Sequence, residues 1–214
     1  MNSLPPARTP GRAWYARSPQ EVATDLLGGH LSVTSREGTV TVRLTEVEAY
    51  GAQDDPASHG YRGRTARNAS MFGPPGRLYV YFTYGMHWCV NVVTGADGSG
   101  SAVLLRAGEV VAGGELARRR RTTSRAANDL ASGPARLATA LGITGHADGL
   151  ALDSEVGHRT GDGVTASLRV TDVAPGPWLH GPRVGVSGEG ADGSRFPWRY
   201  WLEGEPTVSR YRMG

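Results

Sequence analysis

"LYVYFTYGMHWCVN", residues 78–91, is the stretch that decides how the chain reads. Eight of its fourteen residues are aromatic or β-branched, which is the composition of strand rather than helix. Tyr84-Gly85 interrupts the run midway. The pair predicts a hairpin that turns at Thr83-Tyr84-Gly85-Met86 and returns along His87 to Val93. With a period of two, Tyr79 and Tyr81 share one face of the outgoing strand, and Val80 and Phe82 share the other. Tyr84 then sits at the tip and projects outward, away from any core. Exposed tyrosines are common on protein surfaces, but a tip aromatic also suits a wedge pushed between stacked bases from the minor groove.

Outward from the hairpin, the local signals describe one α+β domain. "SPQEVATDLLGG" (residues 18–29) has Ser18 as an N-cap, Pro19 at the first helical position and Glu21 three residues after the cap, and Gly28 closes the helix. "HLSVTSREGTVTVRLTEVEAY" (30–50) reads as two strands around a turn near Glu37-Gly38. Residues 51–76 form a long loop rich in Gly, Pro and Arg, of a length that in a compact domain points to function or disorder. "SAVLLRAGEVV" (101–111) is a further strand, and Arg118–Arg121 reads as one solvated helix face. "SGPARLATALGI" (132–143) is a helix with Ser132 as its expected N-cap, and short strands among Gly-rich turns follow. Residues 1–12, rich in Pro and Arg, are expected to be disordered. Residues 13–214 form a single domain, because no repeat or linker divides them.

Composition excludes several chemistries. At 214 residues the chain can build a core without disulfides, and its single cysteine, Cys89, has no partner for a bridge or a CxxC zinc site. The six histidines show no ligand spacing, so neither a metal nor another cofactor is expected. No leader-like or membrane-spanning apolar run is present, which predicts a cytoplasmic bacterial-type protein. Every one of the 23 basic residues is arginine. Without a lysine amine, no side chain can form a Schiff base with a sugar aldehyde. The charge is uneven: residues 61–136 carry 11 Arg against 4 acidic residues, a balance of +7, while the segments on either side are each −2. A basic zone beside aromatics is what a phosphate-backbone binder needs, although composition alone also fits a solvated surface.

In "TVTVRLTEVEAY" (39–50), period-two alternation puts Val40, Val42, Leu44, Glu46, Glu48 and Tyr50 on one face. That face starts apolar and ends in two carboxylates and a tyrosine. A carboxylate there is costly to desolvate without a partner. One reading pairs Glu46 or Glu48 with Arg43 or Arg106. The other makes the carboxylate a half-buried general base at a pocket mouth, and the polar loop with His59 that follows favours this second reading.

The segment "TEVEAYGAQDDPASHGYRGRTARNASMFGPPGRLYVYFTYGMHWCVN" closely resembles the signature region of the 3-methyladenine (alkyladenine, methylpurine) DNA glycosylase family. The likeness continues through "AVLLRAGEVV", "ASGPARLATALGI", "GPRVGV" and "FPWRYWLEG". Several separated motifs therefore occur in the family's order from about Ala13 onward. The resemblance implies a mainly antiparallel, curved sheet with surrounding helices and a protruding hairpin, similar to the C-terminal domain of formyltransferases. It also implies base-excision repair of alkylated purines in duplex DNA by a monomer, near the nucleoid, with no cofactor. Carried over position by position, Glu48 matches the glutamate that activates water. Tyr50, His59 and Tyr81 match the residues that enclose the flipped base, and Tyr84 matches the residue that fills the gap in the duplex. Asn91 matches the asparagine that crowds 2-amino purines. Arg106 and the backbone carbonyl of Val184 match groups near the water. His87-Trp88 departs from the Tyr-Phe pair familiar in relatives.

Phosphate contacts are expected from Arg119, Arg120 and the helix start at Ser132. The missing lysine implies a monofunctional enzyme that leaves an intact abasic site. A non-catalytic duplex-binding relative would keep Tyr84 and the arginines but would not need Glu48. A small-molecule hydrolase or transferase on the same scaffold would have no use for the tip tyrosine.

Overall fold

The computed structural model describes residues 7–152, 159–171 and 175–214. In chain order come β1 (Ala7–Arg8), α1 (Arg12–Tyr15), α2 (Pro19–Leu26), β2 (His30–Ser35) and β3 (Gly38–Tyr50). After the long loop follow β4 (Leu78–Thr83), β5 (His87–Thr94), β6 (Ser101–Ala112), α3 (Gly114–Arg120) and α4 (Pro134–Leu141). The short strands β7 (Thr165–Thr171), β8 (Trp178–Gly181) and β9 (Arg199–Leu202) complete the set. Residues 1–6 of the segment expected to be disordered lie outside the described residues. Ala7–Arg8 pair with Thr171 and Val170 of β7, so the ordered fold begins a little before Ala13.

The strands form a mainly antiparallel sheet in the order β1-β7-β2-β3-β6-β5-β4. β9 lies against Glu46–Glu48 of β3, and β8 lies against β9. The α+β class expected from the sequence is what the chain adopts. The helices cover one face. α2 is fixed by the expected capping box, in which Ser18 Oγ accepts the Glu21 N–H and Glu21 Oε2 accepts the Ser18 N–H at 3.1 Å. Its buried residues Val22, Ala23 and Leu26 join Leu116, Leu137 and Leu141 of the other helices over Val42, Leu44, Val90, Val92, Val103 and Leu105 of the sheet.

Two details correct the sequence reading. The α4 N-cap is Gly133, not Ser132. Ser132 forms an antiparallel bridge with Ala107, which holds it extended against β6, and Gly133 takes the φ of +115° that a side chain would resist. Nor do Val40 through Tyr50 share one face. Thr45 is an extra residue on β3 between the Leu44–Gly108 and Glu46–Ala107 pairs, and Arg106 is an extra residue on β6 between Ala107 and Leu105. Past these bulges, Val47 and Ala49 continue the core begun by Val40, Val42 and Leu44. Glu46, Glu48 and Tyr50 therefore turn to the opposite face.

Candidate active site

That opposite face forms the floor of a cleft of about 530 Å³. Alternation along four neighbouring strands supplies Tyr50 from β3, Tyr79 and Tyr81 from β4, Cys89 and Asn91 from β5, and Leu104 and Arg106 from β6. The loop after β3 adds His59, and the segment after β8 adds Val184. The structure thus brings Tyr50, His59, Tyr81, Asn91, Arg106 and Val184 to one cavity, with Tyr84 at its rim.

Glu48 lies directly behind this wall and is itself fully buried. Its Oε2 accepts the Tyr50 hydroxyl at 2.9 Å. Its Oε1 accepts the Val184 N–H at 2.7 Å and stands 3.4 Å from Arg106 Nη1. The contact with Val184 thus runs through its amide. Glu46, the other carboxylate, is a structural hub: it accepts from Arg106 Nε, Arg199 Nε, and both the N–H and the hydroxyl of Ser209, all within 3.1 Å. Arg106 is the partner expected for it. Arg43 instead pairs with Glu109 and Glu205.

A third pair was not legible in the sequence. Arg183 makes a two-pronged contact with Asp55 at 2.6 and 2.8 Å, both side chains being fully buried, and its guanidinium lies 4.5 Å from the Tyr50 ring centre. Asp55 also accepts the backbone N–H groups of Gly51 and Ala57, so the pair ties the loop after β3 to the segment carrying Val184. The Asp before Pro56 was the only local hint. Among the described residues, the six buried charged side chains are the three carboxylates and three guanidiniums of this assembly: Glu46, Glu48, Asp55, Arg106, Arg183 and Arg199. They balance in sign, which is how buried charge is tolerated. Burial opposes the charge on Arg106, but Glu48 and Glu46 beside it hold its pKa above the ordinary value.

The aromatic wall is likewise bonded into place. Burial, then the charge of Glu48, push the Tyr50 phenol well above its ordinary pKa. Burial and the neighbouring Cys89 do the same for Tyr81, and burial raises the Cys89 thiol. His59 Nδ1 lies 2.8 Å from the Tyr79 hydroxyl, and the His59 ring meets Tyr81 edge-on with centroids 4.5 Å apart. Asn91 Nδ2 donates to the Tyr79 carbonyl.

The hairpin turns where the sequence places it, with Met86 N–H bonded to the Thr83 carbonyl. Tyr84 is the one non-glycine among the described residues at positive φ, +51°, followed by Gly85 at +66°. It is 83 % exposed, and Phe82 and Met86 flank it on the surface.

Further arginines stand near the cleft. Arg62, Arg64 and Arg67 are exposed in the loop beside the hairpin, and Arg67 reaches the Phe82 carbonyl. A second cavity of about 570 Å³ shares Arg106 and Val184 with the first and is lined by Ser132, Arg136, Arg210 and Arg212. The other expected phosphate contacts lie elsewhere. Arg120 is engaged with Glu37, Ser35 and the Ala140 carbonyl. The Glu37 turn opens β3, which places it about 30 Å along the strand from the Glu48 end. Arg119 is exposed on the same helix.

Comparison with known proteins gives this arrangement its class. A family model described as "Methylpurine-DNA glycosylase" matches residues 13–206. A protein of Streptomyces avermitilis named "Putative 3-methyladenine DNA glycosylase" is 52 % identical over 208 residues, covering 97 % of this chain and 94 % of its own. Proteins with the same name from Nocardia farcinica and Burkholderia lata are 52 % and 44 % identical, over 91 % and 96 % of this chain and 87 % and 95 % of theirs. The family match and these relatives make the chain a DNA glycosylase, an enzyme of DNA repair. It belongs to the methylpurine-DNA glycosylase family.

Proposed function

We propose that the enzyme excises methylated purines, 3-methyladenine and 7-methylguanine among them, and that hypoxanthine and ethenoadenine share its cleft. The observation that carries this reading is Glu48: a buried carboxylate held by Tyr50, Val184 and Arg106 directly behind an aromatic cleft. The target nucleotide must leave the stack, because its glycosidic bond is otherwise out of reach. Tyr84 fills the vacated space, and Tyr50, His59 and Tyr81 enclose the extruded base. Asn91 crowds purines with a 2-amino group.

Glu48 Oε2, whose one protein contact is the Tyr50 hydroxyl, keeps a second lone-pair direction. Through it Glu48 accepts a proton from the attacking water, with the Val184 carbonyl as a second support. Its negative charge stabilises the oxocarbenium-like sugar as the bond to the base breaks. The base leaves with the bonding electron pair, the water oxygen bonds to the anomeric carbon, and an intact abasic site remains. The absence of lysine supports a monofunctional reaction with no amine-driven strand cleavage. Arg67 beside the hairpin and Arg210 and Arg212 at the adjoining cavity are the natural phosphate contacts.

Release of methylpurines from alkylated DNA tests the reading. Glu48→Gln keeps the shape and, through its amide oxygen, the Val184 contact, while its NH2 makes the Tyr50 hydroxyl the acceptor; release falls by about 10²-fold or more. An equally active Glu48→Gln variant, or covalent trapping of wild type by borohydride, refutes the mechanism. Tight duplex binding without release by wild type would favour a non-catalytic binder.

A further inference from the structure

Arg183 is buried and does not line the cleft, yet it stands beside both groups that donate to Glu48. Its Nη1 donates to the Ala49 carbonyl at 3.1 Å and to Asp55 Oδ2 at 2.6 Å. Its Nη2 donates to Asp55 Oδ1 at 2.8 Å and to the Gly190 carbonyl at 3.0 Å. The rings of Phe196 and Trp198 stand 5.5 and 5.4 Å from the guanidinium. Its Nε is buried with no hydrogen-bond partner among the described residues.

Stability does not by itself explain such a group. Breaking a buried ion pair is costly, but exchanging both partners together for neutral side chains is often neutral or stabilising, and an unmatched donor adds to the cost of burial. The contacts say what the guanidinium does. Glu48 is held at Oε1 by the Val184 N–H and at Oε2 by the Tyr50 hydroxyl. Val184 follows Arg183 in the chain, and the Tyr50 ring centre lies 4.5 Å from the guanidinium. Ala49, whose carbonyl Arg183 also holds, separates Glu48 from Tyr50. On the far side of Val184, the Gly185 N–H bonds to the Arg212 carbonyl at 2.9 Å, so the Val184 peptide is fixed at both neighbours.

We propose that Arg183 is a positioning residue for the reaction: one buried guanidinium, oriented by Asp55, braces both donors that aim the Glu48 carboxylate. It touches neither base nor water and acts through Val184 and Tyr50. The inference rests on the reading of Glu48 given above. Misplacing a reacting group by about 1 Å from a distance can cost about 10²-fold in rate without weakening binding. A lysine keeps the charge but concentrates its donors at one point, so it cannot reproduce the two-pronged brace.

Two variants test this. Asp55→Asn/Arg183→Met removes both charges together and leaves no buried charge unpaired, and Arg183→Lys keeps the cation. Calorimetry establishes that each is folded at the assay temperature, and Arg183→Lys carries the test if the double variant is not. Three quantities are read: single-turnover release of methylpurines from alkylated duplex, affinity for a duplex bearing a tetrahydrofuran abasic analogue, and amide exchange of Val184 against Val103 in the core of β6. The expected results are a roughly 100-fold slower release by the double variant and a roughly 10-fold slower release by Arg183→Lys, with affinity within about twofold of wild type. Val184 exchange should rise while Val103 exchange does not, because the opening is local. Release within about twofold of wild type by a folded variant overturns the proposal. So does a loss of affinity that matches the loss of rate, or a rise in exchange equal at Val184 and Val103. Wild type that releases no base would defeat the glycosylase reading, while the exchange data would still decide whether Arg183 holds Val184 on Glu48.

Discussion

Replacing Tyr84 by glycine should make the protein more stable and a poorer enzyme. Tyr84 sits at φ +51°, where an L side chain costs about 1–2 kcal/mol. At 83 % exposure it recovers almost nothing by burial. Glycine removes that strain but loses about 0.5–1 kcal/mol more backbone entropy on folding. The net gain is about 0.5–1 kcal/mol, a rise of roughly 1–4 °C in Tm for a chain of this size. If Tyr84 replaces the stacking of an extruded nucleotide, its loss costs about 1–3 kcal/mol, the worth of one base on an aromatic ring. Single-turnover excision from duplex DNA should then fall roughly 5- to 150-fold. Excision of the same lesion from a single strand, where no stack needs filling, should change far less. Scanning calorimetry and paired duplex and single-strand assays provide the check. A lowered Tm, or equal losses on the two substrates, would refute the wedge and assign Tyr84 to the hairpin's own folding.

Three further outcomes follow from the same geometry. Asp55→Asn leaves the buried Arg183 guanidinium without its counter-charge and should cost about 3–5 kcal/mol, read as a large drop in Tm; a change within 2 °C or so would show that the pair is not structural. His59 has a lowered pKa when folded, chiefly through burial, whereas an unfolded histidine takes up a proton near about 6.5. Below that pH the unfolded state binds more protons, so this contribution to stability is lost on acidification until folded His59 also protonates. The Tm advantage of wild type over His59→Gln should therefore shrink from pH 7 to pH 5, and a constant difference refutes it. Arg210→Gln and Arg212→Gln should each reduce the salt slope of duplex binding by about one per lost phosphate contact. Arg120→Gln should leave the slope unchanged, because that side chain is committed to Glu37.

The parts of the fold set by near neighbours were legible in the sequence. The Ser18 capping box, the Glu37-Gly38 turn and the Tyr84-Gly85 hairpin each depend on three or four consecutive residues, and each appears where expected. The aromatic floor was legible too, because alternation along β4 needs no knowledge of its partners. Contacts that cross the sheet were not. Asp55 and Arg183 lie 128 positions apart, and Glu46 meets Ser209 across 163, distances over which one sequence carries no pairing signal. The basic stretch of the sequence is not one zone in space, and its members differ in use. Arg120 and Arg121 hold their own helix to neighbouring segments, whereas Arg67 reaches the hairpin at the Phe82 carbonyl.

The one-face reading of β3 failed for a reason that bears on function. A strand that keeps strict alternation cannot aim Leu44 at the core and Val47 at the same core, since three positions separate them. Thr45 resolves this by adding one residue, which exchanges the faces beyond it. That addition alone would leave β3 one step out of register with β6. Arg106 restores the match: Arg43–Glu109 and Leu44–Gly108 before the bulges continue as Val47–Leu105 and Glu48–Leu104 after them. Both strands therefore invert together while their pairing is preserved, and the β4–β5 hairpin stays aligned with them. The inversion lets a valine and an alanine fill the core while Glu46 and Glu48 turn toward the cleft. The compensating residue is itself the guanidinium that contacts both carboxylates. Fold and site thus share a cause, since the irregularity that keeps the sheet in register also delivers the charge that allows Glu48 to be buried.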